Sequence, residues 1–364
     1  MLIRDITNFL ESLAPISSQE SYDNSGLIVG DPSSEVTRAL ISLDCIESIV
    51  EEAIETNCQL IIAHHPIVFR GLKKLNGKDY VERTVIKAIK NDIAIYAIHT
   101  NLDNYRFGVN AEIGRRLGLK NLKILSPKSN VLNKLVCFVP DTHLNEVREA
   151  LFAAGAGDIG NYSNCSFSSN GVGTFQPLEG SNPYSGSFGK LAKEKESRLE
   201  VIVPSHSLSS VVRAMKTAHP YEQVAHEAYA SLIDNEFEGA GMVGELDEVM
   251  DEEVFLKSVK ESFGCEVIRH TKLSGNKVKT VAFCGGAGSF LLRNARAAKA
   301  DFFITGDYKY HEFFDAEDQI VIADIGHYES EQFTSHLLRD ILTKKFPKFA
   351  VQLTKINTNP IKYF

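Results

Sequence analysis

Two histidines stand side by side near the middle of the run LIIAHHPIVF, residues 60–69. His64 and His65 follow apolar residues that read as a buried strand, where an unpaired imidazole costs desolvation free energy. Farther along, His327 and Glu331 are spaced i, i+4 at the start of HYESEQFTSHLLRDILTKKF. Apolar residues Phe333, Leu337, Leu338, Ile341 and Leu342 recur there with helical spacing, so the imidazole and the carboxylate share a helix face. Asp103 lies four residues beyond His99 in HTNLD, in a loop leaving another strand. Taken alone, HxxxE is a surface pair and an Asp after a strand is a turn residue. Taken together, three imidazoles and two carboxylates at three strand ends form a nitrogen and oxygen ligand set without thiolates. Such a set suits Zn, Mn, Fe, Co or Ni.

The elements that must position these residues have a βα rhythm. ALISLD (39–44), QLIIA (59–63) and AIYAIH (94–99) read as strands, with helices over 45–57 and 110–118. The final third repeats the pattern with strands KTVAF (279–283), DFFIT (301–305) and QIVIADI (319–325) and a helix over 290–300. Polar residues follow the strands in both thirds: Asp44, His64, His65, His99 and Asp103, then Thr305, Asp307, His311 and His327. Two related βα halves of an α/β domain are expected, with a mainly parallel sheet and the site at the strand C-termini.

The middle third differs. LVCFVPDTHLNEVREAL (135–151) and LEVIVPSHSLSSVVRAM (199–215) align at a constant offset of 64 residues, Val139 on Val203 and Ala150 on Ala214. Each reads as strand, turn and amphipathic helix, and the duplication suggests a ferredoxin-like α+β domain. The Gly-, Ser- and Asn-rich stretch 161–189 between the copies reads as long loops or a hairpin. SPKSN (126–130) and DNEFEGAGMVGE (234–245) read as hinges. The expected organisation is a discontinuous domain, 1–128 and 235–364, carrying an inserted domain, 129–234.

Composition sets outer bounds. A chain of 364 residues with 43% hydrophobic and 24% charged residues is ordinary for a globular protein of two domains. A net charge of −8 argues against nucleic acid as the main partner. No apolar run reaches the length of a membrane span, and MLIRDITNFLESLAP reads as an amphipathic helix. The six cysteines lack CxxC spacing and read as free thiols of a cytoplasmic protein. Two features suggest anion binding. CGGAGS (284–289) lies between a strand and a helix, where Ser289 caps a tight turn and backbone N–H groups could meet an anion. Arg70, Lys73 and Lys74 follow the paired histidines, and a solvated face is the plainer reading of them.

Together with SYDNSGLIVG (21–30), the motifs LIIAHHPIVF, HTNLD, ITGDYKYHE and IGHYESE resemble the GTP cyclohydrolase I type 2 homologue family, also called Nif-three-like, over nearly the whole chain. CSFSSNGVGTF and AHPYEQVAHEAY resemble the PII/CutA-like insertion of its longer bacterial members. Tyr22 stands where the family often has Trp. The resemblance implies two divalent metal ions per chain, held by His64, His65, Asp103, His327 and Glu331, with Glu331 bridging. His99, Asp307, Thr305 and His311 become candidates for supporting or proton-transfer roles. Because adjacent strand residues point to opposite sides, one imidazole is expected on each ion, His65 with Asp103 and His64 with His327. The net positive site would favour an anionic small molecule. The resemblance thus points to a hydrolase of a nucleotide or phosphorylated small molecule acting through metal-bound hydroxide, within a toroidal homohexamer. The competing expectation is a regulatory or adaptor protein with structural metals and a ligand-sensing inserted domain.

Overall fold

The computed structural model describes residues 1–364, which form two compact units: Met1–Pro127 with Phe237–Phe364, and Lys128–Glu236. The first unit contains two sheets. One has five strands in the order Gly26–Val29, Ala94–Ala97, Leu60–Ala63, Arg38–Ser42, Ala350–Leu353. Its last four strands are parallel and Gly26–Val29 is an antiparallel edge. The run LIIA is wholly buried because its alternate residues face two different cores. Leu60 and Ile62 pack in a core with Ile6, Leu10 and Phe302, whereas Ile61 and Ala63 pack with Ile49, Val50, Val85 and Ala88. Burying one such side chain fully contributes about 1.5–3 kcal/mol, so a polar residue anywhere in the run would be costly. The helices Glu47–Glu55 and Tyr80–Lys90 supply the second core from their apolar faces.

The other sheet has the order Arg269–His270, Val321–Asp324, Phe302–Gly306, Lys277–Ala287, Asn235–Asp251, Lys120–Lys128. Its central strands Lys277–Ala287, Phe302–Gly306 and Val321–Asp324 are parallel, and Asn235–Asp251 and Arg269–His270 pair antiparallel. The domain therefore holds two mixed sheets in place of one mainly parallel sheet. Antiparallel neighbours need no crossover helix, so short or long flanking strands can extend each parallel group. One large core draws Leu60, Ile62 and Tyr96 from the first sheet and Phe283, Ile304 and Ala323 from the second.

The two stretches expected as hinges are mostly strand. Ser126–Lys128 ends Lys120–Lys128, and 235–245 lies within Asn235–Asp251. Gly239 serves close approach, not flexibility: a Cβ there would sit 2.2 Å from the Ser126 carbonyl oxygen. The pattern after His327 also divides, into a short helix His327–Glu331 and a longer one, Thr334–Lys345.

The second unit is a four-stranded antiparallel sheet in the order Ser166–Phe175, Ala192–Pro204, Leu132–Pro140, His226–Ser231. Helices Leu144–Ala153 and Leu208–Ala218 each follow a strand and a short turn, in step with the sequence duplication. Leu135, Cys137, Val139, Leu199, Val201 and Val203 alternate onto the helices' Val147, Leu151, Val211 and Met215. The polar stretch 161–189 contributes the largely exposed edge strand Ser166–Phe175, which forms a hairpin with Ala192–Pro204. No helix is long and apolar enough to cross a membrane, and all six cysteines are free.

Candidate metal centre

The strand Leu60–Ala63 delivers His64 and His65 at its C-terminal end, and the neighbouring strand Ala94–Ala97 leads to His99 and the short helix Thr100–Asp103. In the other sheet, Val321–Asp324 leads through Gly326, whose φ is +93°, into the helix His327–Glu331. Its i, i+4 pair therefore faces the ends of strands from the first sheet. Three groups each bring ligand atoms within 4.8 Å of one another: His65, His327 and Glu331; His64, Asp103 and Glu331; and His64, His65 and His99.

His64 is fully buried, and its Nδ1–H donates to the Ile98 carbonyl at 2.8 Å. That bond leaves the Nε2 lone pair facing the centre. His64 Nε2 and Asp103 Oδ1 are both buried without a hydrogen-bond partner, and they lie 3.5 Å apart. Native interiors rarely tolerate one such atom, and two aimed at one point fit a bound cation. Burial keeps the His64 ring neutral, its pKa pushed down to about 3 against the attraction of Glu331. Burial, with repulsion from Glu331, raises the Asp103 carboxyl well above the usual carboxylate range.

The second group surrounds the same carboxylate. Glu331 Oε2 is 3.0 Å from His65 Nε2 and 3.0 Å from His327 Nε2, and the two nitrogens are 3.3 Å apart. Burial works against charging these rings, but carboxylates outweigh it. Hydrogen bonds to Asp44 and Glu331 raise His65 to about 9, and Glu331 with Asp307 raises His327 to about 11. Burial disfavours the Glu331 carboxylate too, yet His327, His65 and His64 hold it well below its usual pKa. Two imidazole nitrogens only 3.3 Å apart around one carboxylate oxygen are arranged as ligands of a cation are. Thiolates take no part in these groups, so the donor set is imidazole and carboxylate, which suits divalent transition metals.

Each ring is held from behind. His65 Nδ1 donates to Asp44 Oδ1 at 2.7 Å, His327 Nδ1 to Asp307 Oδ2 at 2.8 Å, and His99 Nδ1 to Asp23 Oδ1 at 2.7 Å. Such carboxylate partners fix the tautomer and orient the other nitrogen inward. Two glycines leave the necessary room. A Cβ on Gly286, whose φ is +58°, would lie 2.4 Å from Glu331 Oε1 and 3.1 Å from His327 Cε1. One on Gly285 would lie 3.3 Å from Glu331 Cγ. Thr305 is buried behind them, its Oγ1 donating to the Gly286 carbonyl and accepting from the Gly288 N–H, both at 2.9 Å.

The structure brings His64, His65, His99, Asp103, His327 and Glu331 together, with Asp307 and Thr305 in support. His64 lies in a group with Asp103 and Glu331, His65 in one with His327 and Glu331, and both lie with His99 in the third. The expected pairs, His65 with Asp103 and His64 with His327, share no group. The anchor decides this, because the Ile98 carbonyl belongs to the chain segment that runs on to Asp103. His311 does not join; it is exposed, with its ring against Tyr310 and Phe314. Arg70, Lys73 and Lys74 are exposed on the segment after His65, and Ser289 opens a short 3₁₀ turn. These four belong to none of the three groups. Sequence reasoning missed Asp44, Asp23 and Gly286 as parts of the centre. Asp44 carried a signal, since it too follows a strand, and Asp23 lies in the SYDNSGLIVG motif.

A family model described as Duf34/NIF3 (NGG1p interacting factor 3) matches residues 1–360. A protein of Halalkalibacterium halodurans called "GTP cyclohydrolase 1 type 2 homolog" is 39% identical over 363 residues, covering 98% of each chain. A Bacillus subtilis protein of the same name is 35% identical over 370 residues, 99% of this chain and 98% of the other. The crystal structure of a Bacillus cereus protein related to NIF3 superposes with a TM-score of 0.88 at 37% identity, covering 100% of this chain and 99% of that one.

Proposed function

Because the chain belongs to the Duf34/NIF3 family, we propose that it is a metal-dependent hydrolase of a nucleotide or other phosphorylated small molecule, with two divalent ions per chain. The observation that carries this reading is Glu331 Oε2, which is 3.0 Å from His65 and His327 and 3.9 Å from His64, so one carboxylate belongs to both groups. His64 and Asp103 would hold one ion, His65 and His327 the other, and Glu331 both. When bound, such ions supply Lewis acidity and activate water near neutral pH. Asp44, Asp307 and the Ile98 carbonyl keep the three Nδ1 protons in place, so every Nε2 atom stays turned inward. His99 is held the same way by Asp23 and presents its second nitrogen beside His64 and His65. That nitrogen is placed to take or return a proton during turnover. Two divalent cations against the carboxylates of Asp103 and Glu331 leave positive charge, which favours an anionic substrate. The name shared by the relatives points to a guanine nucleotide among such substrates.

The test combines metal analysis of protein purified without chelators with a turnover screen over GTP and simple phosphoesters in Mn and Zn. About two equivalents per chain and measurable hydrolysis are expected. Glu331→Gln should lower both metal content and rate, the rate by at least about 100-fold. Full occupancy without turnover of any substrate would remove the enzymatic reading and leave a metal-binding regulatory protein. Fewer than two equivalents, unaffected by Glu331→Gln, would remove the two-ion reading as well.

A further inference from the structure

The motifs CSFSSNGVGTF and AHPYEQVAHEAY have no part in the metal centre, and both line one cavity of about 780 Å³ in the unit Lys128–Glu236. Glu196 reaches this cavity from the strand Ala192–Pro204, with Gly171 directly across the hairpin. Glu196 as a residue is only 8% exposed. A Cβ on Gly173 would sit 2.0 Å from Glu196 Oε2, so the glycine is what admits the acid. One hydrogen bond reaches the carboxylate, from the Tyr221 hydroxyl to Oε1 at 2.9 Å. Tyr221 is fixed in turn, because its N–H donates to His219 Nδ1 at 3.1 Å and His219 Nε2 donates to the Phe138 carbonyl at 2.9 Å. A carboxylate has about four acceptor positions, and burying one with a single donor costs free energy that a ligand's N–H groups would recover.

The walls are aromatic. Phe175 and Tyr221 lie with ring centroids 6.1 Å apart, and Tyr184 and Tyr221 5.6 Å apart at 44°. Such tilted rings pack against flat faces, and the volume suits a molecule the size of a nucleoside or small drug. Arg198 in the same lining weighs against a purely cationic occupant. We propose that this cavity binds a planar nitrogen heterocycle of nucleoside size, packed among Phe175, Tyr184 and Tyr221, with its N–H groups on Glu196. The proposal goes beyond the hydrolase reading and does not depend on it, since none of the lining residues belongs to the metal centre.

Calorimetric titration of the full chain with guanosine, adenosine and choline tests it. Guanosine or adenosine should bind with one site per chain, and choline should not. Glu196→Gln should weaken the nucleoside at least tenfold while metal content stays unchanged. With guanosine as ligand, 1-methylguanosine, which lacks the ring N–H, should bind at least fivefold more weakly to the unaltered protein. That second comparison keeps the test decisive if Glu196→Gln misfolds. Absence of saturable heat from both nucleosides, binding of choline as tight as theirs, or equal affinity in Glu196→Gln would each overturn the proposal.

Discussion

Every imidazole at the centre has its Nδ1 tied to an oxygen, which leaves four Nε2 atoms around the carboxylates of Asp103 and Glu331. With no cation present, protons take that place. His65 and His327 stay charged at pH 7.5, with pKa values of about 9 and 11, whereas His64 at about 3 is already neutral. A metal ion needs the Nε2 lone pairs, so it must displace the protons of His65 and His327. Loading at pH 7.5 should therefore release about two protons per chain. Because the free chain binds more protons than the loaded one, affinity should rise with pH, most steeply up to about 9 and less steeply from there to about 11. The slope should approach tenfold per displaced proton per pH unit. Calorimetry in buffers of different ionisation enthalpy measures this directly. A binding heat indifferent to the buffer, with a flat pH dependence, would mean that these rings are not displaced ligands.

At the scale of elements, the end of the strand Lys277–Ala287 matters as much as the ligands. Gly286 adopts a left-handed conformation, with Thr305 holding its carbonyl and Ser330 accepting from its N–H at 3.0 Å. Gly286→Ala should cost about 1–2 kcal/mol in backbone conformation alone. Its methyl would also push Glu331 and His327 off their positions, so metal affinity should fall at least tenfold, read by competition with a chelator. Unchanged affinity would show that the glycine serves only the turn. In sequence, CGGAGS read as a tight turn because its neighbour across space, Glu331, lies far along the chain. The continuous apolar runs LIIA, AIYA and VIAD were legible as strands, and the i, i+4 pair His327 and Glu331 as one helix face, because both signals are local. The exchange of partners between His64 and His65 was not legible. It depends on a hydrogen bond from His64 to Ile98, 34 residues away. Nor could composition separate a flexible hinge from Gly239, where the absent side chain makes room for the Ser126 carbonyl.

For the whole molecule, the unit Lys128–Glu236 enters and leaves through adjacent strands. Lys120–Lys128 and Asn235–Asp251 are neighbours in one sheet, and just beyond them Ser129 Oγ donates to Asp234 Oδ1 at 2.6 Å. A short turn replacing residues 130–234 can therefore close the chain without disturbing either strand, since neighbouring strands lie about 5 Å apart. The shortened protein should fold, keep its metal content and melt within about 5 °C of the full chain. It should lose nucleoside binding entirely. Circular dichroism and metal analysis check this, and a shortened chain that is unfolded or metal-free would show that the inserted unit helps to build the centre.

The place of Glu331 in two of the groups also has a meaning in time. His65 and Glu331 are 266 residues apart in the chain. At synthesis rates of about 5–20 residues per second, roughly 13–50 s separate their emergence from the ribosome. During that interval the nascent chain displays His64, His65, His99 and Asp103 with no shared carboxylate. An ion that takes Glu331 as a ligand can be fully held only after the first and last thirds of the protein have met. Retention of such an ion would thus certify completed folding, a checkpoint set by the order in which the residues are made.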